Sequence, residues 1–412
     1  MAGVIDRDEF PHAGQRINAV PARTLVSPAF DAPAPTVVNP QHFDPGVKEA
    51  MEFAWNKGHY DAVNVQIFHL ENVYFCGECL IFNEQLQVID NASDPYSDEE
   101  VESALELMGT KELGRRVPHY AWGVVSKRRA VGNYAHFLLE MLPMATIGRT
   151  FAQEHDPLFV VHRVQPELQD VVFRSMRLLG IPLNRLLVPD YREPIYFNNL
   201  VIVRGLTQHG SFMSPLCMDA MDEMAAPVSP GTRRKLFIRR APGWNRGRAL
   251  LNQEQVCERL AACGFDAIDP GTMTLEQQIA AFRGADHVVG VSGAAMANIV
   301  FCKPGTRITM IVPGRFPDTF FWFIGVHKQH DFTEMRIWQE PLEGADSWKA
   351  DFSMSEADIA YIEASASPDR AAVSAMGYLR GGVLTPPNAA DVRENVASNH
   401  QAGWWSRLFG RR

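Results

Sequence analysis

Four arginines fall in one short stretch, FIRRAPGWNRGRALLN: Arg239, Arg240, Arg246 and Arg248. Guanidinium groups so crowded repel one another unless water or an anion lies among them, and the planar fork of each suits a pair of phosphate oxygens. A diphosphate is the guest this chemistry fits, and a solvated basic loop is the plainer alternative. Further along, HVVGVSGAAMAN ends a run of β-branched residues at Ser292, Gly293, Ala294 and Ala295. Small side chains there let the backbone approach a ligand closely. A helix starting at that point would aim its free N–H groups and dipole at an anion or a sugar hydroxyl. The same residues would also make an ordinary tight strand-to-helix turn.

Both stretches need a scaffold that brings them together, and the pattern from residue 235 onward supplies one. KLFIRR, FDAIDP, HVVGV and RITMIV read as strands, and NQEQVCERLAACG, TLEQQIAAFRGA and GAAMANIVF read as the helices between them. Repeated strand-helix-strand units imply a parallel sheet covered on both faces, with ligands held beyond the carboxyl ends of the strands. Upstream, ENVYFCG and CLIFNEQLQVI read as paired strands, and PLFVVH, NRLLVP and NNLVIVRG as further strands around the helix PELQDVVFRSMRLLG. The Pro, Gly, Ser and Thr mixture at 221–234 marks a boundary. This divides the chain into an extended or partly disordered leader (1–40), a first lobe (41–230), a second lobe (231–345) and a C-terminal helix, linker and tail (346–412).

With 412 residues, 46% of them hydrophobic, the chain is long enough for two ordinary cores. A net charge of −9 argues against a general nucleic-acid binder, which would carry a basic excess. No secretory signal pattern opens the sequence and no apolar run reaches membrane-spanning length, so a cytoplasmic location is expected. Cys76 and Cys79 lack a second pair to complete a zinc site and are expected as reduced thiols near a hairpin tip.

The ordered set FIRR…NRGRALLNQEQV and GFDAIDPGTMTLEQQIAAFRGADHVVGVSGAAMANIVFCKPGTRITMIVP, with GNYAHFLLEMLPM upstream, resembles glycosyltransferase family 61 across about residues 120–335. The resemblance implies an α/β protein of the GT-B type, two Rossmann-like lobes with parallel sheets and a cleft between them. It also implies transfer of a sugar from a nucleotide donor, UDP-linked as the first expectation, with inversion and without a catalytic metal. The acceptor would be a glycan or glycolipid of bacterial polysaccharide or cell-envelope synthesis. The second lobe would hold the donor through Arg239, Arg240, Arg246, Arg248, Gln278, Ser292, Gly293, Ala294 and Asn298.

Inversion requires a base for the acceptor hydroxyl. His136 is the candidate, in the first turn of a helix capped by Asn133, with Glu140 one turn later on the same face to orient it or to act itself. Both could instead simply tie the lobe together. Asp318, His327 and His330 are weaker candidates in a run that reads mainly as core, and Glu276 and Gln277 open a helix beside Gln278. The chain departs from the family at Ser292, where a histidine is usual. Serine can donate a hydrogen bond but cannot act as a cation or base. That substitution keeps alive a non-catalytic nucleotide-sugar or glycan-binding relative. A dinucleotide-dependent oxidoreductase is disfavoured because no Gly-x-Gly-x-x-Gly pattern is present at the expected place. Finally, Trp404, Trp405 and Phe409 alternate with arginines in a tail suited either to the inner face of a membrane or to docking on protein.

Overall fold

The computed structural model describes residues 10–108, 118–129, 132–190, 194–208, 210–240, 247–340 and 347–366. Two large sheets organise them. The second sheet is parallel throughout its six strands, ordered Asp266–Ile268, Lys235–Ile238, His287–Val291, Arg307–Pro313, Asp331–Ile337 and Thr36–Val38. Its strands bury both faces by simple alternation. Leu236, Ile238, Val288 and Met310 enter one core with Leu275, Ile279 and Phe282. Phe237, Val289 and Ile311 enter another with Val256, Leu260, Ile359 and Ile362.

From Lys235–Ile238 the chain crosses through the helix Gln253–Ala262 to a strand on one side. It then returns through Leu275–Gly284 to His287–Val291 on the other side. The connections therefore diverge at Lys235–Ile238, and a crevice beyond the carboxyl ends of the two strands follows from that divergence. The arginine stretch leaves one strand at that edge and Ser292 follows the other.

The first sheet is mixed rather than purely parallel. Ile195–Arg204, His119–Val125, Leu158–Val160 and Leu186–Leu187 run parallel. The long strand Val63–Cys76 pairs antiparallel with Ile195–Arg204, with Leu80–Phe82 and with Arg23–Ser27. A tight turn at 77–79 forces the hairpin pairing and holds Cys76 and Cys79 as buried free thiols. The helix Leu142–Phe151 lies close against this sheet, because a Cβ on Gly148 would stand 2.5 Å from Val124 Cγ1.

The leader is more ordered than its composition suggests. Arg16–Ile17 and Arg23–Ser27 join the first sheet, Phe30–Asp31 pairs with His59–Tyr60, and Thr36–Val38 closes the far edge of the second sheet. Prolines between these short pieces erase any periodicity, and every partner is distant in sequence. The C-terminal helix Glu356–Ser365 packs on Gln253–Ala262, with Arg259 paired to Glu363 at 2.6 Å and to Glu356 at 2.8 Å. Residues 367–412, including Trp404, Trp405 and Phe409, lie outside the described residues. No described helix is long and apolar enough to cross a membrane.

Candidate active site

On the first-lobe side, Asn133 accepts a hydrogen bond from the Ala135 backbone N–H at 2.9 Å and caps a single helical turn, Tyr134–His136. The chain then widens into a π-helical turn, Phe137–Met141, before the α-helix Leu142–Phe151. Such turns are rare and re-aim the side chains they contain. Here His136 Nδ1 stands 3.0 Å from Glu140 Oε1, with the carboxylate side chain 7% exposed and the imidazole 17% exposed. The expected pair therefore exists at the spacing the sequence implied.

Behind Glu140 lies Arg128, whose guanidinium pairs with Asp94 at 3.3 Å, a carboxylate shared with Arg204 at 2.7 Å. Burial pulls the Arg128 pKa down. The charges of Asp94 and Glu140 outweigh that and hold it above the ordinary arginine value. Phe320 approaches the imidazole from the second lobe, its ring centroid 5.9 Å away.

On the second-lobe side the arginines do not act alike. Arg239 is ion-paired with Glu254. Arg240 donates from Nη1 to the Arg248 carbonyl at 3.2 Å, while its backbone N–H donates to Gln253. Arg248 lies 3.8 Å over the Phe316 ring centroid and 5.3 Å from that of Trp348. Its Nε and Nη1 are buried with no hydrogen-bond partner among the described residues. Burial and the nearby Arg240 charge push its pKa down to about 10, against the pull of Asp318. A buried cation against two aromatic rings, with N–H groups unmet among the described residues, is prepared for an anion. Arg246 lies outside the described residues. The segment Lys349–Phe352 anchors the loop: the Arg248 N–H donates to the Lys349 carbonyl and the Ala249 N–H to Asp351.

At the neighbouring strand, Ser292 donates its backbone N–H to Ile311 at 2.8 Å. Its hydroxyl is buried without a partner among the described residues. Gly293 is extended, and a Cβ built there would meet only the Val291 carbonyl, 3.8 Å away. The turn thus faces open space, with Ala294 exposed and Gly293 and Ala295 half-buried. Gly290 answers a different need, since its Cβ would stand 2.5 Å from Met296 Sδ and 2.9 Å from Ile238 Cβ. The helix Ala294–Phe301 is 3₁₀ rather than α, so its dipole is a weaker anion support than the sequence implied.

Asn298 and Gln278 are buried and engaged with protein. Tyr134 Oη donates to Asn298 Oδ1 at 2.6 Å, and Asn298 Nδ2 donates to Gln278 Oε1 at 2.9 Å and to the Ala295 carbonyl at 3.0 Å. Gln278 Nε2 continues the chain to the Met273 carbonyl at 3.2 Å. Gln277 completes a capping box with Thr274, and Glu276 pairs with Arg174 at 2.9 Å. His327 donates from Nε2 to the Met213 carbonyl at 2.9 Å, and desolvation pushes both His327 and His330 down to about 4. Asp318 caps the helix Phe320–His327 by accepting from the Phe320 N–H at 2.7 Å.

The segment from Phe316 to Phe320 joins the two halves of the site, with Phe316 under Arg248 and Phe320 beside His136. Residues 134–309 match the family model described as Glycosyltransferase 61. That match supports membership of glycosyltransferase family 61. No curated protein matches it significantly. The segment shared with the family takes in His136, Glu140, the arginine loop, Gln278 and the Ser292 turn. Phe316, Asp318, Phe320 and Trp348 lie beyond it. Sequence reasoning missed the contact of Arg248 with Phe316 and Trp348, and it missed Arg128, whose position carries no local motif. Tyr134 stood inside the family-like GNYAH motif and was the one missed residue with a signal.

Proposed function

We propose that this family 61 glycosyltransferase transfers a sugar with inversion from a nucleotide-diphosphate donor to a glycan or glycolipid acceptor in bacterial polysaccharide or cell-envelope synthesis. The observation that carries the reading is Arg248, a buried cation with N–H groups unmet among the described residues, in the segment between the strand Lys235–Ile238 and the helix Gln253–Ala262. Arg248 and Arg240 receive the diphosphate while the exposed backbone of Gly293 and Ala294 lines its other side. The two sheets then act as the lobes of a GT-B arrangement, and a UDP-linked sugar is the first donor to try.

The acceptor oxygen forms a bond to the anomeric carbon as the bond from that carbon to the phosphate oxygen breaks. His136 takes the hydroxyl proton on Nε2, because Nδ1 faces Glu140 and that carboxylate stabilises the imidazolium that results. The electron pair leaves with the nucleotide diphosphate, whose charge the arginines offset. Since guanidinium groups supply that charge, the reaction proceeds without a divalent ion. Asn298 and Gln278 serve the donor indirectly, by holding the turn. The C-terminal aromatics would keep the enzyme at the cytoplasmic membrane face.

Product analysis with a panel of nucleotide sugars and envelope acceptors, with and without EDTA, tests this. Transfer that survives EDTA supports the reading, and loss restored by Mn²⁺ overturns its metal-independent form. The unmet Ser292 hydroxyl, where the family has histidine, favours a second reading as a non-catalytic nucleotide-sugar or glycan-binding relative. Nucleotide binding without transfer from any donor would establish that alternative.

A further inference from the structure

We infer that Asn298 is a positioning residue that sets the spacing between the His136 turn and the Gly293–Ala295 turn. The inference rests on the proposed reading only for its catalytic consequence. The directions of its hydrogen bonds are fixed by chemistry. A phenol at 2.6 Å donates to Oδ1, so Nδ2 must face the Gln278 and Ala295 oxygens, and Gln278 must then turn its own amide N–H toward Met273. Every polar atom of the Asn298 side chain is engaged, and the residue is wholly buried.

One end of this chain is Tyr134, two residues before His136 in a turn too short to hold itself. The other bond fixes Ala295, in the turn that faces open space. Aspartate does not repeat the pattern, because it offers no N–H and would set its carboxylate against two amide oxygens. The polar chain crosses a continuous apolar core in which Leu138, Leu139, Ile299 and Val300 are buried, so water does not replace a broken link.

The test uses Tyr134→Phe, which keeps the ring and removes only the donor, and Val300→Ala, a core change in the same helix, as the control for lost stability. Hydrogen exchange in the ligand-free protein should quicken about tenfold or more in both 133–141 and 293–301 for Tyr134→Phe. At a matched drop in melting temperature, Val300→Ala should leave 133–141 protected. If the protein transfers sugar, Tyr134→Phe should also lower kcat about tenfold with the donor KM within twofold. Unchanged exchange in 133–141, or equal loosening in Val300→Ala, would overturn the inference. An inactive parent protein would count against the proposed reaction and leave the exchange result to decide the role of Asn298.

Discussion

His136 Nδ1 lies 3.0 Å from Glu140 Oε1, and the carboxylate sits in the π-helical turn that directly follows the histidine. In a regular α-helix the same spacing would still put them on one face. The widened turn does more, by leaving Glu140 buried near Arg128 and its partner Asp94. A carboxylate facing Nδ1 favours the imidazole tautomer that carries its proton there and leaves Nε2 free to accept one.

From that arrangement, His136→Ala should lower kcat by about two to four orders of magnitude while nucleotide affinity stays within twofold, since the base acts on the acceptor. Glu140→Gln should give a smaller loss, because the ring keeps a neutral partner. Steady-state kinetics with isothermal titration of nucleotide would check both. Near-normal turnover in His136→Ala would move the base elsewhere.

Arg248 separates stability from binding. Its guanidinium is held against Phe316 and Trp348 with no ion-paired acid among the described residues. Arg248→Met preserves the packing and removes a poorly solvated charge, so the melting temperature should hold or rise. Diphosphate affinity should fall about tenfold to a hundredfold, and Arg248→Lys should not restore it because the fork is lost. Equal affinity in all three proteins, measured by titration with UDP and other nucleotides, would remove Arg248 from the donor site.

Four strands of the second sheet, from Lys235–Ile238 to Arg307–Pro313, were legible as short apolar runs between helical stretches, whereas Asp331–Ile337 was not read as a strand. The first sheet was only half legible, since the parallel strands beyond Ile195–Arg204 and the antiparallel partners of Val63–Cys76 look alike strand by strand. The leader strands gave no signal, as Thr36–Val38 gains its place only by pairing with Thr333–Met335. Site residues divided along the same line. His136 and Glu140 were found through helical spacing, whereas Phe316 and Trp348 meet Arg248 only through the loop geometry of distant segments. Asn298 was visible as a motif residue, but its engagement with Tyr134 needed the packing of one lobe on the other.

Four histidines, His162 and His287 buried and His327 and His330 half-buried, give stability a definite pH dependence. Burial, aided by Lys127, pushes His162 down to about 3, and burial with Arg307 and Lys235 does the same to His287. His327 and His330 are pushed down to about 4. In the unfolded chain each titrates at about 6.5, so below that pH the unfolded state binds more protons. Their stabilisation is complete above about pH 6.5 and is lost as pH falls toward the folded values. Melting temperature should be flat with respect to these groups from pH 8 to 7 and fall steadily from 6.5 to 5, less steeply in His162→Gln. A melting curve unchanged between pH 7 and 5 would contradict the neutral state of these rings.

Ser292 poses the sharpest test of how this member handles its donor. The hydroxyl is 1% exposed as part of its residue and has no partner among the described residues, so Ser292→Ala should change stability by no more than about 0.5 kcal/mol. A rise of severalfold in donor KM at unchanged melting temperature would then mean that the hydroxyl meets the donor. Ser292→His asks more of the fold. The imidazole cannot stay where the hydroxyl is without overpacking, and its way out is past Gly293, where a side chain would find open space. It would emerge beside the arginines and add a hydrogen-bond donor to a site already supplied with positive charge. Donor affinity or turnover should therefore change while EDTA remains without effect, because no ligand set for a metal has been created. Metal-dependent transfer in Ser292→His alone would show that the position governs metal use, and the arginine-based account of the leaving group would have to be given up.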